Sequence, residues 1–135
     1  MKICIVVSNF YPSISKMLIQ GAISVLKKNN IKNFKIINVP GAFEIPFVVS
    51  SKSHKFDAFI VLGCVIKGQT PHFHYICSSV INGLLNLSTK IKKPIGNGIL
   101  TCNNKKQAHD RANPKNKNKG GEAAKAAILL SNLVN

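Results

Sequence analysis

Four short apolar segments separated by stretches of helical periodicity predict one α/β domain over residues 1–135, a three-layer α-β-α sandwich around a four-stranded parallel sheet. Two observations carry that expectation. Each candidate strand is apolar throughout rather than alternating, as strands are when helices cover both faces of a sheet. The element order β-α-β-α-β-α-β-α-α also requires crossovers, which run right-handed and put helices on both sides. With 135 residues, 45% of them hydrophobic, the chain is long enough for one sizeable core. No internal repeat or interdomain linker divides it.

The elements follow in order. Ile3–Val7 is a continuous apolar run of strand length. Ser13 is a good helix N-cap, and Ile14, Leu18, Ala22, Val25 and Leu26 then recur at helical spacing up to Lys28. Phe34–Val39 reads as a second strand, ended by Pro40 and Gly41. Ala42–Ser51 has a helical period that puts Phe43, Phe47 and Val48 on one side. Asp57–Ile66 is the central strand. From His72 to about Leu87, the residues Tyr75, Ile76, Val80, Leu84 and Leu87 mark the next helix. Ile95–Leu100 is the fourth strand, and Gly96 and Gly98 inside it signal close backbone approach. Asn104–Ala112 and Gly121–Leu133 read as helices joined by a Lys/Asn loop.

Nineteen basic residues against four acidic ones give a formal charge of +15. Such a balance favours anionic partners, from phosphorylated metabolites to nucleic acid. The lysines are scattered through loops and stripe no helix, so nucleic acid is expected only through nonspecific charge. No apolar run approaches the ~20 residues that span a bilayer. The N-terminal run is too short for a secretory signal and lacks a cleavage site, which makes the cytoplasm the expected location and a membrane an unexpected partner. Cys4, Cys64, Cys77 and Cys102 form no CxxC and read as reduced, apolar residues. No metal site is expected, because His72 and His74 lack a third ligand.

A parallel sheet gathers all of its strand-to-helix turns on one edge, where α/β folds bind ligands. Here those turns hold Ser8 to Tyr11, Val39 to Glu44, Lys67 to His72 and Thr101 to Asn104. Gly68, Gln69 and Thr70 precede a helix, whose N–H groups and dipole attract an anion; an ordinary helix cap uses the same residues. The turn is not a P-loop, and no strand is followed by GxGxxG spacing. His72 is either a proton shuttle or a packed capping residue. Arg111, the one arginine, suits bidentate phosphate binding or solvation on a helix. Glu44 is a first-turn acid or a ligand contact, and Phe10 stacks on a flat ring or covers the sheet end. With no partnered nucleophile and no carboxylate pair, this set fits condensation or elimination on a phosphorylated small molecule.

Four ordered motifs carry a resemblance. Val39-Pro-Gly-Ala-Phe-Glu-Ile-Pro46, Leu62-Gly-Cys-Val-Ile-Lys-Gly-Gln-Thr-Pro-His-Phe73, Gln107-Ala-His-Asp-Arg-Ala112 and Asn118-Lys-Gly-Gly-Glu122 resemble those of the 6,7-dimethyl-8-ribityllumazine synthases, over nearly the whole chain. The resemblance implies a flavodoxin-like fold and a homo-oligomer, a pentamer or a multiple of pentamers up to sixty subunits, with active sites shared between neighbours. It also implies condensation of 5-amino-6-(D-ribitylamino)uracil with 3,4-dihydroxy-2-butanone 4-phosphate, releasing phosphate and water, without cofactor or metal. Phe10 would then stack on the pyrimidine. Ala42, Phe43, Glu44, Cys64, Val65 and Ile66 would hold that substrate, Glu44 at the ribityl hydroxyls. Gln69, Thr70 and Arg111 would bind phosphate, and His72 would transfer protons. Lys119 would support the ring and Glu122 the histidine. Asn97 falls where the family often carries a bulky group that closes a neighbour's pocket.

The chain departs from the family pattern at His74, where an acid is usual, at Gln69, where a small residue is usual, and at Asn97. Asn103 and Lys105 replace acids common after the fourth strand. These changes, with the charge, motivate an alternative: a basic oligomeric scaffold or anion-binding protein whose active site has decayed. Phe10, Glu44, Thr70, His72 and Arg111 favour the enzyme.

Overall fold

Ile3–Ser8 forms β1, with all six residues buried, and Ala58–Ile66 forms β3, buried through its first seven. These are the strands with neighbours on both sides. In the computed structural model, which describes residues 1–134, the sheet order is β2-β1-β3-β4, with Phe34–Val39 as β2 and Ile95–Cys102 as β4. The expected domain end at Asn135 lies outside the described residues. Every pairing is parallel: Ile3 lies opposite both Phe34 and Ala58, and Ile60 lies opposite Gly96. This is the single-domain, three-layer, flavodoxin-like arrangement expected from the sequence.

Helices fill both faces. Pro12–Lys28 (α1), Lys105–Ala112 (α4) and Lys119–Val134 (α5) cover one side, where Ile5, Val7, Ile60 and Leu62 pack against Leu18, Leu26, Ala108 and Ala124. Ile45–Lys52 (α2) and His72–Ile91 (α3) cover the other, where Val6, Phe59 and Val61 meet Ile45, Val49, Val80 and Leu84. The expected close approach at β4 is present. A Cβ on Gly96 would strike the Ala123 carbonyl, and one on Gly98 would lie 2.6 Å from Leu62 Cδ2. Small residues on both sides therefore let α5 sit directly on the strand. Among the described residues, no helix is long and apolar enough to cross a membrane.

Two local expectations are corrected. Helix α1 starts at Pro12, with Tyr11 in extended backbone at the N-cap, rather than after a Ser13 cap. Proline is preorganised for the first helical position and has no N–H to satisfy there. Ser15 instead lies 2.6 Å from the Ser8 carbonyl and 3.1 Å from that of Tyr11, its hydroxyl proton shared between them. In the next helix, Ile45 and Val49 are buried, while Phe43 and Phe47 are 62% and 77% exposed. Phe43 and Phe47 thus share a side, as expected; what differs is the helix start, since Ala42–Glu44 is a 3-10 turn and α2 begins at Ile45 rather than Ala42.

Candidate active site

The strand order creates one switch point. From β1 the chain goes to β2 on one side, and β3 lies on the other, so the crevice for a ligand opens at the carboxyl ends of β1 and β3. A cleft of ≈ 220 Å³ lies there. The turn after β1 supplies Phe10 and Tyr11, and the turn after β2 supplies Gly41, Ala42 and Phe43. The end of β3 adds Cys64, Val65 and Ile66, and α3 adds His72 and, one turn on, Ile76.

The lining is mostly apolar. Phe10 projects 68% exposed, with the Tyr11 ring edge-on to it at 5.0 Å and 64°. Cys64 is buried, and that burial, then the neighbouring thiols Cys102 and Cys77, push its thiol up to about 12. Burial also raises the Tyr11 phenol, with Cys64 adding to the effect. Both groups stay protonated near neutrality, so Cys64 offers the cleft a neutral sulfur and no thiolate nucleophile. His72 is the remaining titratable residue of the lining and is exposed at the start of α3.

Glu44, Gln69 and Thr70 stand outside that lining. Glu44 is exposed in the 3-10 turn, with its carboxylate folded over Gly41: a Cβ on Gly41 would lie 3.1 Å from Glu44 Oε1. Gln69 and Thr70 lie in the exposed turn between β3 and α3. Thr70 Oγ1 accepts a long 3.4 Å hydrogen bond from the His72 N–H, and Pro71 at the N-cap contributes no side-chain cap. The capping is weak, and nothing lies within 4 Å of where a Gly68 Cβ would sit. The turn is open to solvent beside the imidazole.

Asn97, Arg111 and Lys119 gather elsewhere. They line a second cleft of ≈ 250 Å³ along β4, with Thr101 between them. Asn97 is exposed on this edge strand, its Oδ1 accepting from the Ile99 N–H at 3.0 Å. The Arg111 residue is half-buried, and its guanidinium donates to the Gln107 backbone carbonyl at 3.3 Å, which leaves most of its donors uncommitted. Its charge also lowers the Cys102 thiol, against a larger upward push from burial. Lys119 and Glu122 form an exposed ion pair at 3.0 Å. Within one chain, the fold thus separates the expected site residues: one set lines the switch-point cleft, Asn97, Arg111 and Lys119 line the other, and Glu44, Gln69, Thr70 and Glu122 line neither. Among the described residues, no group of three or more His, Cys, Asp or Glu side chains is arranged to hold a metal ion.

Sequence reasoning did not single out Tyr11, Gly41 or Ile76 as lining residues. Tyr11 carried a usable signal, since it directly follows Phe10 in a turn at the carboxyl end of a strand. Ile76 carried none, because its helical spacing reads equally well as core.

The comparisons with known proteins agree with each other. The family model described as 6,7-dimethyl-8-ribityllumazine synthase matches residues 1–135. The chain is also 44% identical over 138 aligned residues to a protein named 6,7-dimethyl-8-ribityllumazine synthase from Buchnera aphidicola subsp. Baizongia pistaciae (strain Bp), with 98% of this chain and 87% of that protein covered.

Proposed function

The chain belongs to the 6,7-dimethyl-8-ribityllumazine synthase family and is a transferase of riboflavin biosynthesis, and from that premise we propose how its two clefts form the lumazine. The whole-length match to an enzyme family favours this over the scaffold alternative. The substrates are 5-amino-6-(D-ribitylamino)uracil and 3,4-dihydroxy-2-butanone 4-phosphate. One observation supports the assignment of roles: His72 is the imidazole that lines the switch-point cleft, exposed at the start of α3, where the other titratable groups are a thiol and a phenol, both ordinarily protonated at neutrality.

The pyrimidine stacks on Phe10 against the apolar floor of Cys64, Val65 and Ile66, with Ala42 and Phe43 on its flank. Glu44, at the rim beside Gly41, receives the ribityl hydroxyls. The 5-amino group adds to the ketone carbonyl and water leaves. Loss of a carbon-bound proton then expels phosphate, and the ribitylamino nitrogen closes the ring with loss of water. His72 carries protons between these steps, and the two bound substrates supply the rest of the rate through proximity. No cofactor or metal takes part in this scheme.

Phosphate needs more than the turn of Gln69 and Thr70. Arg111 supplies a planar pair of charge-assisted donors, but it lies in the β4 cleft. The two half-sites are complete when the switch-point cleft of one copy faces the β4 cleft of the next, which brings Asn97, Arg111, and Lys119 with its partner Glu122 to the substrates. Such a contact joins two different surfaces and is heterologous, and a heterologous contact whose rotation closes forms a ring. Exposed Phe43, Phe47, Leu85 and Leu133 supply apolar surface for it. Five subunits, or a multiple of five, is the number that family membership suggests. Four free thiols among the described residues accord with a reducing compartment, the cytoplasm. Nucleic acid meets this surface only through nonspecific charge.

The test is incubation of purified protein with both substrates while product absorbance and fluorescence are followed. Lumazine formation is expected, and its absence from assembled protein would overturn the assignment.

A further inference from the structure

Phe10 is 68% exposed on a turn, yet a stacking platform works only if its ring is held. A free ring would have to be ordered each time a substrate bound, and that ordering weakens affinity. The structure gives the ring one aromatic neighbour, Tyr11, edge-on at 5.0 Å. This geometry sets the positive edge of one ring against the face of the other and is favoured between aromatics.

Tyr11 is itself fixed from several sides. Its carbonyl accepts from the Ser15 N–H at 2.9 Å and lies 3.1 Å from Ser15 Oγ. Its backbone caps α1, and the Pro12 that follows restricts it further. Its ring is half-buried against the core on the α1 side. Lys105, the first residue of α4, places its ammonium 5.9 Å from the ring centroid, within cation–π range. Helix α4 also carries Arg111, so one helix braces the ring platform and lines the second cleft.

We propose that Tyr11 is a positioning residue for the pyrimidine subsite: its ring, braced by Lys105, holds Phe10 in the orientation that receives the substrate's flat ring. The proposal rests on the lumazine-forming reading of the site. It predicts a selective effect, since the phosphorylated ketone does not stack on Phe10. The contact uses the ring and not the phenol hydroxyl, so phenylalanine should replace tyrosine.

The experiment is steady-state kinetics on wild type, Tyr11→Phe, Tyr11→Leu and Lys105→Gln, each confirmed as assembled and folded. Tyr11→Leu is expected to raise KM for the ribitylaminouracil by about three- to tenfold, the range that an aromatic pair supports. KM for the butanone phosphate should stay within about twofold. Tyr11→Phe should restore the pyrimidine KM. Lys105→Gln, at an exposed position, should raise that same KM by a smaller factor. An unchanged pyrimidine KM in Tyr11→Leu, equal rises in both KM values, or failure of Tyr11→Phe to restore binding would each overturn the proposal. If Tyr11→Leu does not fold, Lys105→Gln decides it: no selective rise counts against the brace. Absence of product from wild type would instead reject the reading on which it rests.

Discussion

The Ser8 hydroxyl occupies the space that a side chain at Gly63 would need. A Cβ added to Gly63 would collide with Ser8 Oγ, and it would lie 3.3 Å from Ser8 Cβ and 3.8 Å from Ile45 Cδ1. The pair sits where β1 and β3 run side by side toward the switch-point cleft, and Gly63 leaves the room that the Ser8 side chain fills. Ser8 is 1% exposed, and its Oγ has no hydrogen-bond partner among the described residues.

Gly63→Ala is therefore expected to destabilise the protein by about 1–3 kcal/mol through overpacking. Ser8→Ala removes a buried, unpaired hydroxyl and should be neutral or stabilising by up to about 1 kcal/mol. In the Ser8→Ala background, Gly63→Ala should cost less, because the nearest clashing atom is gone. Denaturant unfolding at one fixed protein concentration measures the cycle. Additive effects would show that the two residues are not coupled.

His72→Ala is expected to slow turnover by about 100-fold, the lower end of what general acid–base catalysis contributes. The fold should be unaffected, since the side chain is exposed and only its backbone N–H bonds to Thr70. Turnover under saturating substrates, with circular dichroism as the control, checks both parts. Full activity in the variant would remove His72 from the mechanism.

Arg111→Gln should raise KM for the phosphorylated substrate by about 10- to 100-fold, the worth of hydrogen bonds to a charged group. KM for the pyrimidine should change little. Initial rates with each substrate varied in turn separate the two. A rise confined to the pyrimidine KM would move the guanidinium off the phosphate.

Alkaline pH should destabilise the fold through its buried thiols. Cys4 is raised from 9.0 to about 11, mainly by burial, with Lys52 and Lys35 opposing. Cys64 is raised from 9.0 to about 12. An unfolded thiol ionises from about pH 9 upward while the folded thiol stays protonated, so the unfolded state binds fewer protons and stability falls as pH rises. The contribution is intact below pH 9 and declines between 9 and 11 for Cys4, by up to about 1.4 kcal/mol per pH unit. Unfolding of wild type and Cys4→Ala at pH 8, 9 and 10 isolates this effect, because lysine titration is common to both. Parallel stability curves would contradict it.

The layers and strands were legible because full burial leaves an unambiguous mark: Ile3–Val7 and Ala58–Cys64 have no polar face. The start of α2 was misplaced at Ala42 because the 3-10 turn that leads into it has the same apolar composition as the helix. Cleft residues at the ends of β1, β2 and β3 were legible as turn chemistry on one sheet edge. The separation of Arg111 from His72 was not, because hydrophobic period carries no strand order. Only the placement of β4 at the edge, next to β3 and away from β1, sends Asn97, Arg111 and Lys119 to a different cleft.

That separation leads to the most direct test. His72→Ala and Arg111→Gln each disable a different half-site, so the two variants should complement each other when they assemble together. They are unfolded, mixed in equal amounts, refolded and assayed for lumazine formation. If each site takes His72 from one copy and Arg111 from the next, random mixing gives about one quarter of the sites both intact residues, and activity should rise well above that of either variant alone. Activity no greater than the average of the two variants refolded separately, from material shown to be co-assembled, would contradict a site shared between neighbouring chains.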